Sequence, residues 1–245
     1  MSDAKRRRRH SPNRVKRAWY ARHRCIRFAR RFLAGGIPAL SQGDRRMNTS
    51  LGPLDQTRIL SRTEIATVIA DLKRKRRSVN TRQNLIVFRL SASCGLRVSE
   101  IAGLSLRDVQ TEDPQPHLVL PQTGAKRCRP RTVPLWWDAA TLADIAAWKG
   151  ERIAAGAHPS DPLVCSQHKD TRGKTLSARN LQHRWSVAIK VLGRDRVKRL
   201  SIQKGRHSFC SHALTGGHSI AEVREAAGHA NIATTTSYFQ VTSDH

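Results

Sequence analysis

The final stretch of the sequence, residues 203–240, reads QKGRHSFCSHALTGGHSIAEVREAAGHANIATTTSYFQ. A basic run leads into a helical pattern that ends at a Gly-Gly pair, and a shorter helical pattern ends at Gly228-His229. The chain has two tyrosines. Tyr20 lies in an arginine-rich segment, whereas Tyr238 lies near the end of this ordered-looking stretch. If a tyrosine performs chemistry in this protein, elimination points to Tyr238.

The charge of the chain indicates a polyanionic partner. Lys and Arg number 45 against 18 Asp and Glu, so the formal net charge is +27. Such a field attracts polyanions strongly, and the binding weakens as the salt concentration rises. Nucleic acid is the partner that this charge favours. A ribosomal or otherwise non-specific basic protein is the alternative that charge alone leaves open.

Several classes of protein are disfavoured by the same composition. The five cysteines are scattered and form no Cys-x-x-Cys pair, which argues against a disulfide framework and against a structural zinc site. Reduced thiols favour a cytoplasmic, nucleoid-associated setting. No apolar run approaches the ~18 residues that a membrane-spanning helix requires. We therefore expect neither a membrane partner nor a bound metal.

The beginning of the chain differs in composition from the remainder. Residues 1–46 hold 15 Lys and Arg against two Asp, a net charge of +13. Such a segment is predicted to be a disordered basic arm. An alternative is that it is an upstream extension and that Met47 is the natural start. Residues 47–60 are predicted to be a linker, and residues 61–243 to be one mainly helical domain.

Apolar spacing and capping residues place the helices of this domain. Ser61 and Glu64 have the spacing of a capping box, in which each side chain accepts a hydrogen bond from the other residue's backbone amide. Asn80 is predicted to cap a second helix that is apolar nearly all round, and we expect this helix to be buried at the centre. It ends at Cys94-Gly95, so that Arg97 follows at the edge of a cleft. Further helices are predicted at 137–155, 177–192, 206–215, 219–227 and 231–238, with a basic loop at 193–200.

Two short runs between these helices are rich in β-forming residues. They are His117–Leu120 and Arg131–Leu135, and a polar turn rich in Lys and Arg joins them. This pattern predicts a β-hairpin at the edge of a small antiparallel sheet. The expected fold class is therefore mainly α with a small β-hairpin or antiparallel sheet.

The residues permit a particular kind of phosphodiester chemistry. Strand cleavage needs a nucleophile, positive donors for the charge that develops on the phosphate oxygens, and a proton donor for the leaving oxygen. Arginine suits the second role because its planar fork donates two parallel hydrogen bonds and stays charged. No acidic or histidine cluster has the spacing of metal ligands. The sequence thus favours a metal-free mechanism in which arginines hold the phosphate.

Three stretches together resemble the tyrosine recombinase (phage integrase) family. CGLRVSEIAGL at 94–104 is similar to its first arginine box, and GAKRCRPRTVPL at 124–135 is similar to its lysine hairpin. QKGRHSF at 203–209, followed by Gly228-His229 and Tyr238, resembles the second arginine box and the nucleophile segment. The resemblance covers roughly residues 60–243, in the family's order, and implies the fold of that family's catalytic domain.

The resemblance implies a site-specific DNA recombinase or integrase acting on double-stranded DNA. Arg97 and Arg206 would hold the scissile phosphate, and His229 would donate a hydrogen bond to it. Tyr238 would attack the phosphorus, forming a 3′-phosphotyrosyl link and expelling a 5′-hydroxyl that Lys126 would protonate. No cofactor and no small-molecule substrate would be consumed. The family also implies a homo-oligomer, a tetramer, on DNA.

Other charged side chains are assigned supporting roles. Glu100 and Asp108 are expected to be structural and to orient arginines. Contacts to the DNA backbone are expected from seven basic side chains: Lys73, Arg74, Lys75, Arg127, Arg129, Arg131 and Lys204.

Two features depart from the family pattern. The family usually has a histidine three residues before the second arginine, and here that position holds Gln203, which cannot take up a proton. The family also usually has an N-terminal domain that binds the opposite face of the DNA, and we expect that domain to be absent here. We therefore predict weakened cleavage. Two alternatives stay open: a weakly active or inactive DNA-binding accessory protein derived from a recombinase, and a DNA-relaxing activity like that of type IB topoisomerases.

Overall fold

The computed structural model describes residues 59–120, 130–229 and Thr235, all of which lie in the unit Ser50–His245. Its helices are α1 (Arg62–Arg74), α2 (Val79–Ala92), α3 (Val98–Gly103), α4 (Ala139–Ala154), α5 (Ala178–Ala188), α6 (Arg194–Arg199), α7 (Ile202–Thr215) and α8 (Ile220–Ala227). Its strands are β1 (Val109–Gln110), β2 (His117–Leu120) and β3 (Arg131–Pro134). Short 3₁₀ helices occupy Leu106–Asp108, Lys169–Thr171 and Ile189–Leu192.

The central helix of the fold is α2, as its apolar sequence predicts. Ten consecutive residues, 83–92, are buried, because α1, α4, α5 and α7 all pack against this helix. The helix begins after Ser78 rather than at the predicted cap Asn80. The side chain of Asn80 instead accepts a hydrogen bond from Arg184 of α5. A contact with a distant element has thus replaced the expected local cap.

Buried polar side chains of α2 are satisfied by specific partners. The carboxamide of Gln83 pairs with both the backbone N–H and the backbone carbonyl of Cys165. The guanidinium of Arg89 donates to Asp144 and Asp138 and is only 4% exposed. A buried polar group without a partner would cost free energy, so these contacts fix how α2 lies against its neighbours.

The predicted hairpin is confirmed and belongs to a three-stranded antiparallel sheet. The strand order is β1-β2-β3, and Leu118 faces Val133 across the β2–β3 pair. Both of these side chains are fully buried. The sheet also contains β1, which we did not predict from the sequence because a strand of two residues is too short to show an alternating pattern. A mainly helical chain with a small antiparallel sheet is thus the observed fold class.

Caps confirm two predicted helix starts, and packing corrects two other elements. Reciprocal hydrogen bonds form the capping boxes at Ser61 and Ser219. Helix α7 begins at Ile202, four residues before the predicted start. The side chain of Ile202 is buried in the core, and this packing stabilises the additional turn. The predicted loop at 193–200 contains α6 instead, and Arg196 of this helix forms an ion pair with Glu64. Tertiary contacts, rather than an apolar stripe, therefore stabilise α6.

Candidate active site

Arg97 lies where α2 gives way to α3. Gly95 has a positive φ of 68°, which turns the chain after α2, and Leu96 is buried behind the turn. The Arg97 guanidinium then donates to Glu100 Oε1 at 3.0 Å and to the backbone carbonyl of Gly228 at 2.8 Å. The side chain keeps a third of its surface exposed. Arg97 is thus fixed in orientation while part of it faces solvent.

Arg206 comes from α7, which lies close against α2. A Cβ atom at the preceding residue, Gly205, would be 2.2 Å from Ser91 Oγ, so only glycine permits this approach. Arg206 Nη1 donates to the carbonyl of Gly95 at 2.7 Å. Its Nη2 is buried and has no hydrogen-bond partner among the described residues. Burial first, and the charge of Arg97 second, lower the pKa of Arg206 to about 10, so the guanidinium stays charged at neutral pH.

Glu100 is the carboxylate that the arginines share. It is buried, and both of its oxygens accept hydrogen bonds from the guanidinium of Arg131. Arg206 Nη1 lies 4.0 Å from Glu100 Oε2. Burial alone would raise the pKa of Glu100, but the hydrogen bond and charge of Arg131, with a smaller contribution from Arg97, hold it below its ordinary value. We refer to Arg97, Arg131 and Arg206 around Glu100 as the arginine cluster.

The predicted role of Glu100 in orienting arginines is confirmed by these contacts. Asp108 is structural, as expected, but the hydrogen bonds of its side chain among the described residues involve Ser105 rather than an arginine. Its carboxylate accepts hydrogen bonds from the backbone and the hydroxyl of Ser105, at the start of a 3₁₀ helix. Asp108 therefore stabilises a local turn.

His229 is placed by the end of α8. Gly228 adopts the left-handed conformation, with φ 64°, and ends the helix. The imidazole Nδ1 of His229 lies 2.9 Å from the hydroxyl of Thr235. Burial, followed by the charges of Arg206, Arg97 and Arg131, lowers the pKa of His229 to about 3. The imidazole is consequently neutral at physiological pH.

Arg131 has a different position from the one expected of a DNA-contacting residue. Its side chain is only 7% exposed. Besides its two bonds to Glu100, it donates from Nε to the carbonyl of Ala226 at 3.0 Å. All three contacts lie inside the protein, so the expectation of a phosphate contact at Arg131 is corrected. The residue joins β3 to α3 and to the end of α8.

Four of the other residues predicted to bind DNA are at least partly accessible to solvent. Lys73 forms an ion pair with Asp144, and Arg74 and Lys75 both pair with Asp71. Lys204 lies in the first turn of α7, next to the exposed Gln203. DNA binding at these positions stays a prediction.

His207 follows Arg206 in α7. Burial first, and then the charges of Lys204 and Arg206, lower the pKa of His207 to about 4. Like His229, it is therefore neutral near pH 7.

The structure thus brings together Arg97, Arg206 and His229 of the predicted catalytic set. The remaining predictions for this site, Tyr238, Lys126, Arg127 and Arg129, lie outside the described residues, as do the arm 1–46 and most of the linker. Sequence reasoning missed Thr235 as the partner of His229 and missed the internal role of Arg131. Neither has a motif of its own, since each role depends on contacts between distant segments.

The part of the chain that the structure describes contains no group of three or more His, Cys, Asp or Glu side chains that could hold a metal ion. Over the same residues, no helix is both long enough and apolar enough to cross a membrane.

Comparisons with known proteins agree on one family. The phage integrase family matches residues 58–245. Tyrosine recombinase XerC of Shewanella amazonensis is 30% identical over 163 residues, which are 65% of this chain and 49% of that protein. Tyrosine recombinase XerA of Thermococcus kodakarensis is 31% identical over 194 residues, 79% of this chain and 61% of that protein. The chain thus spans about half to three-fifths of the length of these relatives.

Solved structures show the same fold. A crystal structure of XerA recombinase aligns with a TM-score of 0.59 at 17% identity, covering 80% of this chain and 61% of that one. The XerH site-specific recombinase bound to its palindromic difH substrate aligns with a TM-score of 0.58 at 22% identity, covering 75% and 49% of the two chains. With the family match across residues 58–245, these findings show that the chain belongs to the phage integrase family.

Proposed function

We propose that this protein is a site-specific recombinase that cuts and rejoins double-stranded DNA through a 3′-phosphotyrosyl intermediate at Tyr238. The observation that carries the proposal is the buried Nη2 of Arg206, which has no hydrogen-bond partner among the described residues and lies in a site with Arg97 and the neutral imidazole of His229. A buried donor without an acceptor is costly, so such a group indicates a ligand that supplies one. A phosphate oxygen is an acceptor of suitable charge.

The charge balance of the arginine cluster supports an anionic ligand. Three guanidinium groups face one carboxylate, Glu100, which leaves an excess of two positive charges among these side chains. A phosphodiester carries one negative charge, and more negative charge develops on its non-bridging oxygens during attack. Fixed donors that are already oriented stabilise such a transition state without rearranging.

His229 supplies a neutral donor in this scheme. When the hydroxyl of Thr235 donates to Nδ1, the ring proton of the neutral imidazole resides on Nε2. The imidazole then donates a hydrogen bond to a phosphate oxygen without adding a charge. The lowered pKa keeps the imidazole in this neutral form across the physiological range.

The reaction follows from these groups. The phenolic oxygen of Tyr238 attacks the phosphorus, a P–O bond forms to the tyrosine, and the bond to the 5′ oxygen breaks. Lys126 transfers a proton to that leaving oxygen, and the phenolic proton passes to solvent because Gln203 cannot accept it. Joining reverses these steps with a 5′-hydroxyl as the nucleophile. The phosphotyrosyl ester preserves the bond energy, so no cofactor is needed.

The partners that we propose are double-stranded DNA and further copies of this chain. The XerH structures contain a recombinase with its difH DNA substrate. We infer that this chain likewise acts on DNA, as a homo-oligomer with two recombining sites. Its net charge of +27 favours association with the nucleoid.

The rival function is a DNA-binding accessory protein with little or no cleavage activity. Gln203 favours this rival, because the tyrosine loses a neighbouring group able to take its proton. A relaxing activity shares the covalent step with the recombinase but lacks exchange between two duplexes.

The test uses nicked duplexes drawn from the DNA on either side of the coding sequence. A nick beside the cleavage site lets the 5′-hydroxyl fragment diffuse away, so that the covalent intermediate accumulates. We expect the wild-type protein to form an adduct stable to detergent, and Arg206→Met to form about 100-fold less while still binding DNA. Binding without any adduct from the wild-type protein would favour the accessory protein. Products that join strands from two different duplexes would indicate recombination, because a relaxing activity rejoins each duplex to itself.

A further inference from the structure

Arg131 is the member of the arginine cluster that donates to both oxygens of Glu100, and its side chain is only 7% exposed. Its two terminal nitrogens donate to the two oxygens of Glu100, and its Nε donates to the carbonyl of Ala226. A Cβ atom at Gly228 would lie 2.8 Å from the side-chain atoms of Arg131, so the guanidinium packs directly against the turn before His229. Arg131 therefore contacts the elements that carry Arg97 and His229.

We propose that Arg131 is a positioning residue for DNA cleavage, which occupies both oxygens of Glu100 and thereby leaves Arg206 Nη2 available to the scissile phosphate. This inference rests on the proposed function and deepens it. Glu100 is a buried anion beside the arginines that are to hold another anion. Without a dedicated partner, its carboxylate competes with the phosphate for the same donors.

Arg206 already lies close enough to Glu100 for such competition. Arg206 Nη1 lies 4.0 Å from Glu100 Oε2, roughly one ångström beyond hydrogen-bond distance. Arg97 donates two bonds to Glu100, one from its guanidinium to Oε1 and one from its backbone N–H to Oε2. With Arg131 removed, each carboxylate oxygen of Glu100 loses a guanidinium partner, while Arg206 Nη2 is a buried donor that has no partner among the described residues. A small rotation of the Arg206 side chain would then pair it with Glu100 instead of with DNA.

An arginine serves as the second partner of Glu100 better than a lysine would. A guanidinium matches a carboxylate with two parallel bonds and retains Nε for a third contact, whereas an ammonium is a point charge. In Arg131 the third contact reaches the carboxyl end of α8, the helix that His229 follows. One side chain therefore orients both the arginines and the histidine.

The decisive variants are Arg131→Met and the double variant Arg131→Met with Glu100→Gln. At saturating DNA, we expect Arg131→Met to lower the single-turnover cleavage rate by about 100-fold with unchanged DNA affinity. The double variant removes the competing charge together with its partner, and we expect its rate to recover to within about tenfold of the wild-type rate. An equally slow double variant, or an Arg131→Met protein as fast as the wild type, would overturn the proposal.

A matched control comes from Arg196 and Glu64. This pair is also joined by two guanidinium–carboxylate bonds, and Arg196 also donates to a backbone carbonyl, that of Ile59. Arg196→Met, alone and with Glu64→Gln, measures what loss of such a pair does to the folded fraction. We expect no change in cleavage rate per folded molecule; a loss as large as that of Arg131→Met would show that the effect is merely structural.

A pH profile separates competition from misfolding. Loss of Arg131 raises the pKa of Glu100, because burial is then opposed by fewer positive charges. Among the described residues, the other charged or titratable groups of the site are Arg97 just before α3, Arg206, His207 and Cys210 on α7, and His229 after α8. Between pH 7.5 and 5.5, we expect the rate of Arg131→Met relative to the wild type to rise as Glu100 becomes protonated. A constant ratio would contradict the proposal.

A structure of Arg131→Met gives a readout independent of cleavage. We expect the Arg206 guanidinium to lie within hydrogen-bond distance of Glu100, and an unmoved Arg206 would overturn the inference. If the wild-type protein forms no adduct with any DNA, the proposed function fails, while this structure still decides how Glu100 and Arg206 behave.

Discussion

Arg206 Nη1 donates a 2.7 Å hydrogen bond to the backbone carbonyl of Gly95, across 111 positions of sequence. This bond joins the two arginine segments, because Gly95 forms the turn from which Arg97 projects. The turn itself depends on a glycine: φ is 68°, and a Cβ atom would lie 2.3 Å from Phe209 Cδ1. One glycine therefore sets the relative position of two arginines.

Gly95→Ala tests this relationship. The added methyl group requires a strained backbone and a displaced Phe209 ring, so we expect a loss of unfolding free energy of about 2–4 kcal/mol, measured by urea denaturation. The control is Gly150→Ala in α4, where no atom lies within 4 Å of the added methyl group. Alanine there should stabilise the helix by about 0.5–1 kcal/mol. A Gly95→Ala protein as stable as the wild type would contradict the account.

The lowered pKa of His229 predicts a pH-dependent stability. In the folded protein this pKa is about 3, against an ordinary value of 6.5, so the unfolded chain binds more protons between these two values. The free energy of unfolding should therefore fall as the pH decreases from 6.5 toward 3. His229→Gln should reduce that slope, measured by urea denaturation at pH 7.5 and pH 5.

His183→Gln is the matched control, because it removes an exposed imidazole from α5. We expect its slope to equal that of the wild type. Equal slopes for His229→Gln and the wild type would mean that His229 is not held neutral by burial and the arginine cluster.

Gln203 predicts a gain of activity on substitution. It is exposed in the first turn of α7, three residues before Arg206 and therefore on the same side of that helix. Gln203→His introduces a group that accepts a proton near neutral pH, and we expect cleavage to accelerate by about 10–100-fold above pH 6.5. The rate on a nicked substrate checks this, with Gln203→Ala as the control that adds no base. An unchanged cleavage rate for Gln203→His would show that the missing base at position 203 does not limit cleavage.

The sequence was most informative where local patterns carry the signal. The apolar surface of α2, the capping boxes at Ser61 and Ser219, and the strands on either side of the hairpin all follow from spacing and turn chemistry. The arginines at 97 and 206 could be singled out because each lies in a recognisable motif. Helix α6 could not be predicted, since an ion pair between Arg196 and Glu64 supports it.

Long-range pairing also decided the roles that sequence reasoning missed. Arg131 lies in a run of basic residues, and no local feature distinguishes a surface cation from the partner of Glu100. Thr235 lies in a threonine-rich segment, where its bond to His229 depends on the turn at Gly228. Such roles require the fold, because they arise from segments that meet only in three dimensions.

The central claim, covalent chemistry at Tyr238, is tested most directly by mapping the adduct. Trypsin cleaves after Arg224, and residues 225–245 contain neither Lys nor Arg and hold Tyr238 as their sole tyrosine. After nuclease treatment, mass spectrometry should find this peptide carrying a nucleotide through its 3′-phosphate, and Tyr238→Phe should abolish the product. A wild-type adduct on another residue, a link through a 5′-phosphate, or an adduct that persists in Tyr238→Phe would contradict the account.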